Sequence, residues 1–259
     1  MTRFLESSPV LQTRKVADNT FITRFHSPKI APLVKAGQFV MVSFPGVLDP
    51  LLPRAFSVCD ADKEYVDLFY VAVGKGTTRL SHLVVGDVVT LNGPLGNGFP
   101  DLSGGERVWI AIGGSGAALL PILTRSAKKS GAELTIFYGA RTKSQFVYFS
   151  DDKNHLSTDD GSEGYHGTVV ELLKKELSKQ KPDKVYACGP TPMLAAIQQE
   201  FGNMIPTYLS VETPMACGMG FCQGCPVKKV GEPDYYLACK DGPVFRSNEI
   251  EFIRENSAK

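Results

Sequence analysis

Four cysteines near the end of the chain constrain it more than any other feature. They stand as Cys217-x4-Cys222-x2-Cys225-x13-Cys239, three of them inside the stretch MACGMGFCQGC. A tail this short is too small for a core of its own, so a bound inorganic centre would help it fold. The spacing is that of plant-type [2Fe–2S] sites, in which a loop wraps one side of a rhombic cluster and each iron takes two thiolates. Glycines at 218, 220 and 224 let the backbone curl closely and turn amides toward sulfur. Structural zinc uses paired C-x2-C knuckles, and only one such pair is present, which leaves a zinc-stabilised interaction module as the alternative. A secreted disulfide framework does not suit a chain of 259 residues, which is long enough to bury a core without staples. A cytoplasmic setting is expected, where clustered thiols serve metal or redox chemistry.

The length predicts more than one domain. The formal net charge of +1 gives no electrostatic footprint for nucleic acid, and no basic run points to a membrane surface. The opening MTRFLESSPVLQTRK lacks the apolar core of a secretory signal, and no apolar run is long enough to predict a membrane-spanning helix. The expected class is a multi-domain β plus α/β protein. Residues 1–101 read as an N-terminal antiparallel β-barrel, because FITRFHSP, GQFVMVSFPG, YVDLFYVAVG and DVVTLNGPLGNGF are strand-like runs between turns. Residues 102–208 read as a parallel-sheet nucleotide-binding domain. There VWIAI, ELTIFYGAR and KVYACGP alternate with the helical runs AALLPILTRSAKK, TVVELLKKELSK and PTPMLAAIQQEF. The polar stretch from Ser150 to Gly167 is expected to be a long loop, and residues 209–259 a small cluster-binding segment.

Several turns have the chemistry of cofactor sites. Arg54 opens RAFSV with a forked donor suited to a diphosphate, and Ser57 offers a hydroxyl to a flavin edge. The alternative for Arg54 is a surface ion pair at a strand end. In VGKGTT, the helix start with Thr77 and Thr78 either holds a phosphate, or one of these threonines simply caps that helix. Gly113-Gly114-Ser115-Gly116 lies between a strand and a helix, as a nucleotide phosphate site requires, although the full dinucleotide fingerprint would need a glycine at Leu119. Cys188-Gly189-Pro190 repeats the geometry after a later strand, so both turns would flank one crevice. Cys188 also suits a small buried apolar position, and Cys59 reads as structural. The four histidines show no metal-ligand spacing, and no Ser/His/Asp nucleophile stands out. Glu212 precedes the cysteine loop from a strand end, where a solvent-facing side chain is expected.

Set in chain order, RAFS, VGKGTT, GPLGNGF, GGSG, YGAR, TDDGSEGYHG, ACGPTPML and ETPMACGMGFCQGC…CKDGPVF cover nearly the whole sequence. This set resembles the electron-transfer subunits of NAD-dependent dihydroorotate dehydrogenases, a family within the ferredoxin-reductase superfamily. The resemblance implies FAD held by Arg54, Ala55, Phe56 and Ser57, by Phe69, Tyr70 and Val71, and by Gly76 and Thr77. It implies NAD over Gly113, Gly114 and Gly116 and over Cys188, Gly189 and Pro190, with Tyr138, Gly139 and the Asp160 loop alongside. The cluster ligands carry over onto Cys217, Cys222, Cys225 and Cys239. It further implies a separate FMN-containing catalytic subunit that oxidises dihydroorotate, in an assembly with two copies of each chain. Ser115 stands where the family usually has a third glycine, Pro121 comes later than the usual proline, and Val71 occupies a position often basic in relatives. The rival within the same chemistry is a flavin and iron–sulfur NAD(P)H reductase subunit serving ferredoxin, sulfide, sulfite or a hydrogenase.

Overall fold

The protein is described by a computed structural model covering residues 2–149 and 154–252. Six strands, β1 (Phe4–Ala17), β2 (Thr20–His26), β3 (Phe39–Ser43), β4 (Arg54–Asp62), β5 (Tyr65–Val71) and β6 (Val88–Leu95), close into an antiparallel barrel in the order β1-β2-β5-β4-β3-β6. Alternation decides which side chains fill it: Val66, Leu68 and Tyr70 of β5 join Phe56 and Val58 of β4 in the core. Phe69, Ala55 and Ser57, on the opposite parity, help to line a cleft outside the barrel. The short helix α1 (Lys75–Ser81) follows β5. The long β1 escapes sequence reading because its run ESSPVLQTRK is mostly polar; Glu6, on its buried parity, is buried and accepts from Ser27 Oγ at 2.6 Å and from the Lys29 and Ile30 amides.

The second layer contains β7 (Arg107–Gly113), α2 (Leu120–Ser130), β8 (Glu133–Ala140), β9 (Asn154–Thr158), β10 (Tyr165–His166), α3 (Val169–Leu177), β11 (Lys184–Cys188), α4 (Thr191–Phe201) and β12 (Thr207–Ser210). Its sheet runs β10-β9-β8-β7-β11-β12, all parallel. Strand order reverses between β7 and β11, so the turns after these two strands flank the crevice where open α/β sheets bind ligands. One core joins the barrel to Val108, Ile110 and Ile112 of β7, and a second joins Trp109 and Ala111 to α3, α4 and the cysteine segment.

The expected long loop at 150–167 is corrected in part. It holds β9 and β10, with Ser157 and Thr158 buried and Leu156 half-buried, while positions 150–153 lie outside the described residues. Polar composition hid these strands, whose backbone hydrogen bonds go to the sheet, β9 to β8 and β10 to β9. The expected helix after Gly113 starts later than the sequence suggests: Gly114–Leu119 is a 3-10 turn, with Gly114 at φ +56°, and α2 begins beside Pro121.

Helix α3 starts at a capping box, in which the Thr168 amide donates to Glu171 Oε2 at 2.8 Å and the Glu171 amide donates to Thr168 Oγ1 at 3.2 Å. Thr168→Ala is expected to cost about 1 kcal/mol, measured as a lower urea midpoint with unchanged slope.

Beyond β12 the chain forms β13 (Pro226–Lys229), β14 (Tyr235–Leu237), β15 (Val244–Arg246) and β16 (Ile250–Glu251). Three of these make a small sheet, β14-β13-β16, but β15 adds antiparallel to β12 and completes the central sheet at seven strands. The Gln198 side-chain amide of α4 donates to the Ser247 and Ile250 carbonyls, tying the tail to the α/β layer. No helix among the described residues is long and apolar enough to cross a membrane.

Candidate functional site

The four cysteines of the tail form two pairs. Cys225 and Cys239 are buried, with sulfurs 3.3 Å apart. Cys217 and Cys222 form the outer pair, Cys222 being exposed. Among the described residues no three His, Cys, Asp or Glu side chains gather round a single metal-ion position. Two thiolate pairs are instead what a two-iron centre needs.

Backbone amides already point at these sulfurs: Met219 and Cys222 donate to Cys217 Sγ at 3.4 Å, and Gly220 donates to Cys239 Sγ at 3.1 Å. Gly218 and Gly220 have φ of +69° and +85°, which allows the loop to fold its amides inward. Gln223 takes the third left-handed position (φ +53°) in place of Gly224. Burial tends to raise the Cys217 thiol, but the amides and the Cys222 side chain hold it down, at about 6. Burial and the neighbouring Cys225 push Cys239 up to about 12. Two buried and two outer thiols, with backbone amides aimed at sulfur, fit an iron–sulfur centre with one face inside the protein and one at the surface.

The cage rests on the barrel. A Cβ on Gly218 would meet the Met41 side chain of β3, and Asn92 Nδ2 approaches Met219 Sδ at 3.5 Å. On the same strand, Phe39 lines a cleft of about 300 Å³ with Ala55, Phe56, Ser57, Phe69, Tyr70 and Val71. Ser115, Glu212, Thr213 and Met215 close it from the α/β side. Thr213 Oγ1 is buried without a partner, a polar atom that a heteroaromatic ligand in the cleft would satisfy.

At the start of β4 the Arg54 side chain lies over Gly76, where an added Cβ would come within 3.0 Å of its Cγ. Arg54 makes no ion pair among the described residues; its Nη1 donates to the Leu52 carbonyl at 2.6 Å, so the fork is held beside α1. The Thr77 hydroxyl is spent on capping, accepting from the Val73 and Gly74 amides at 3.0 Å, which leaves only its backbone for a phosphate.

The second cavity, about 500 Å³, lies over the carboxyl ends of β7 and β8 and beside the turn after β11. Gly113, Gly114, Gly139, Arg141, Asp159 and Pro190 are among its walls. Ser157 Oγ there is buried without a partner. The two turns meet, because a Cβ on Gly116 would fall on the Cys188 carbonyl oxygen. The Cys188 thiol is buried and pushed up to about 12 by desolvation and by Glu212. Tyr138 does not line this cavity; its ring is in the core, and Asp159 rather than Asp160 borders the space.

Comparison with known proteins fits this geometry. Residues 212–251 match the family model for the iron–sulfur cluster binding domain of dihydroorotate dehydrogenase B. The chain is 36% identical over 254 residues to the dihydroorotate dehydrogenase B (NAD(+)) electron transfer subunit of Bacillus caldolyticus, covering 95% of this chain and 98% of that one. It is 38% identical to the same subunit of Desulforamulus reducens, covering 93% and 96%. The chain belongs to this family. Among solved structures, that of an NADH-dependent reduced ferredoxin-NADP oxidoreductase superposes with a TM-score of 0.83 at 29% identity, covering 94% of this chain and 89% of that one.

Within an electron transfer subunit of this family, the cleft walls that sequence reasoning did not place there include Phe39, Thr213 and Met215, and Ser115, which it had placed in the nucleotide turn. They come from three separate parts of the chain, and only folding makes them neighbours. Glu212 was visible in the sequence, and it is exposed as expected, at the mouth of the cleft. Desolvation by the cleft walls pushes its carboxyl up, against a hydrogen bond with Ser115 that lowers it. The folded chain therefore holds the Glu212 proton more tightly than the unfolded chain does. Stability from this group is full below the usual glutamate value and falls as pH rises through the raised one. Glu212→Gln is expected to remove that fall, seen as a smaller drop in Tm than wild type across the same pH range.

Proposed function

We propose that this chain is the electron-transfer subunit of an NAD-linked dihydroorotate dehydrogenase of pyrimidine biosynthesis. It passes electrons from the FMN of a catalytic partner, by way of a [2Fe–2S] cluster and FAD, to NAD+. Nicotinamide exchanges a hydride, an iron–sulfur cluster carries one electron, and a flavin can do either. In this reading residues 1–101 carry FAD, 102–208 NAD and 209–259 the cluster, in the cytoplasm, with two copies of each subunit.

One observation carries the reading: the cleft lies between the other two sites and shares a wall with each. Gly113 and Gly114 line the nucleotide cavity, and Ser115, the next residue, lines the cleft. Met215 lines the cleft, and Cys217 follows two residues on. Phe39 faces the cleft while Met41 of the same strand lies under Gly218. The order nucleotide, flavin, cluster is the order the electron chemistry requires.

The residues have simple tasks. Arg54 with the backbone at Gly76 and Thr77 would hold the FAD diphosphate. Phe69, Tyr70 and Val71, with Ala55, Phe56 and Ser57, would seat its ring system. Gly113, Gly114 and Gly116 would let the dinucleotide approach the sheet edge, with Gly189 and Pro190 opposite and Cys188 beneath. Cys217, Cys222, Cys225 and Cys239 would bind iron, with the Met219, Gly220 and Cys222 amides setting the charge on sulfur. No general base for dihydroorotate is assigned to this chain, because that chemistry belongs to the partner.

Cofactor analysis of purified protein tests the assignment. Iron, acid-labile sulfide and FAD are expected together, with NADH reducing a dye. A colourless preparation containing zinc, and neither iron nor flavin, would contradict it.

A further inference from the structure

The outer cysteine pair is at the surface, with Phe221 beside it 79% exposed. A stable interface covers roughly 800 Å² on each partner, far more than one loop tip offers. A partner seated on the cluster must therefore extend onto a neighbouring surface. The small tail sheet and the barrel both adjoin the cysteine segment, and they differ in charge.

On one side is the small sheet β14-β13-β16. Its charges are already paired, Lys228 with Glu251 at 2.8 Å and Lys229 with Glu232 and Asp234 at 3.4 and 3.6 Å. Covering it would desolvate satisfied ion pairs, which gains little.

On the other side is the outward face of β1 and β6. Register places Leu5 opposite Asn92, Ser7 opposite Thr90, and Pro9 opposite Val88, all on this face. Leu5 is 74% exposed, Ser7 and Val88 are exposed, and Pro9, Thr90 and Asn92 are half-buried. None of the six carries a charge, in a chain with 21% charged residues. Charge depletion of this kind marks the core of protein interfaces rather than ordinary surface. The face is continuous with the cage, since Asn92 touches Met219 and Met41, its neighbour on β3, lies under Gly218. From Asn92 to Val88 it extends a further ~13 Å along the strand. At the cluster end, Arg3 and Lys240 line a cavity with Cys239 and Met219, and neither has a carboxylate partner among the described residues.

We propose that the β1–β6 face, from Leu5 to Val88, continues from the Phe221 loop as the docking surface for the FMN-bearing catalytic subunit. The matching surface on that partner is apolar and uncharged over the strands, with acidic groups opposite Arg3 and Lys240. This rests on the functional reading above.

The test uses the holo chain and the purified catalytic subunit. Ser7→Arg and Thr90→Lys place a charge on the face without touching a cofactor site. Each is expected to raise the Kd of the complex more than ~30-fold while leaving NADH-dye activity and flavin content unchanged. Glu232→Lys, on the opposite flank, is expected to change the Kd less than about twofold. Independently of those variants, Ser7→Cys is expected to react with maleimide in the free chain and to be protected at least ~10-fold in the complex, read site by site by mass spectrometry. Unchanged affinity for both charged variants, or equal labelling of Ser7→Cys in the free and bound chain, would overturn the docking surface alone. Protection of this face by self-association, with catalytic-subunit binding unaffected, would overturn it in favour of a second copy of the chain. Failure of the wild-type chain to bind the catalytic subunit would overturn the functional reading, and the docking proposal with it.

Discussion

Replacing Cys222 with serine is expected to lower dihydroorotate-dependent NAD+ reduction more than ~100-fold, a larger loss than second-sphere changes at metal sites produce. NADH oxidation with a flavin-accepting dye should stay within about twofold of wild type. The separation follows from position. Cys222 is exposed on the outer pair, so its loss leaves no cavity in the core and removes only its contacts with Cys217. The cleft is lined by Met215 but by none of the four cysteines, and the nucleotide cavity lies on its far side. Loss of iron by analysis, retention of FAD by absorbance, and loss of only the partner-dependent activity are the expected set. Equal loss of both activities would mean that the cluster serves mainly to hold the tail on the barrel. The same change at Cys225 is expected to be less clean, because Cys225 is buried in the core that joins the tail to α3 and α4.

Arg54→Ala is expected to weaken FAD retention about 10–100-fold, the worth of a charge-assisted hydrogen bond or a bidentate pair. One nitrogen of the guanidinium already holds the Leu52 carbonyl, which fixes the fork over Gly76 before any ligand arrives. Arg54→Lys should recover little, because an ammonium cannot bridge a carbonyl and a diphosphate in one plane. Flavin content after dialysis measures the effect, with far-UV dichroism to confirm that β4 is intact. Flavin retained at the wild-type level in the alanine variant would remove Arg54 from the binding site.

Much of this site was legible in the chain before folding, and for definite reasons. The cysteine spacing was legible because all four cysteines fall in one stretch of the tail, where the short β13–β14 hairpin brings Cys239 back to Cys225. Strands such as VWIAI and KVYAC were legible as short apolar runs, and their terminal turns meet because β7 and β11 are neighbours at the point where strand order reverses. The cleft was legible on its barrel side only. Arg54 to Ser57 and Phe69 to Val71 stand on adjacent strands, but Thr213 and Met215 reach the cleft through the tail, and no local pattern encodes that meeting. Strand β9 was hidden by its polar composition, and with it Ser157, whose orphaned hydroxyl points to the second cavity. Glu212 is exposed, as expected, but its place at the cleft mouth beside Ser115 and Cys188 could not be read from the strand end alone.

Electron transfer between the two proteins is the decisive property. Holo chain and FMN-containing catalytic subunit, mixed without oxygen in the presence of dihydroorotate and NAD+, should form NADH at a rate neither gives alone. The rate should saturate as the chain is titrated to equal amounts with its partner, and omission of iron or FAD from the chain should abolish it. A preparation that holds both cofactors and reduces dyes with NADH, yet never yields NADH from dihydroorotate with the matching subunit, would contradict the account and leave a reductase that serves another acceptor such as ferredoxin.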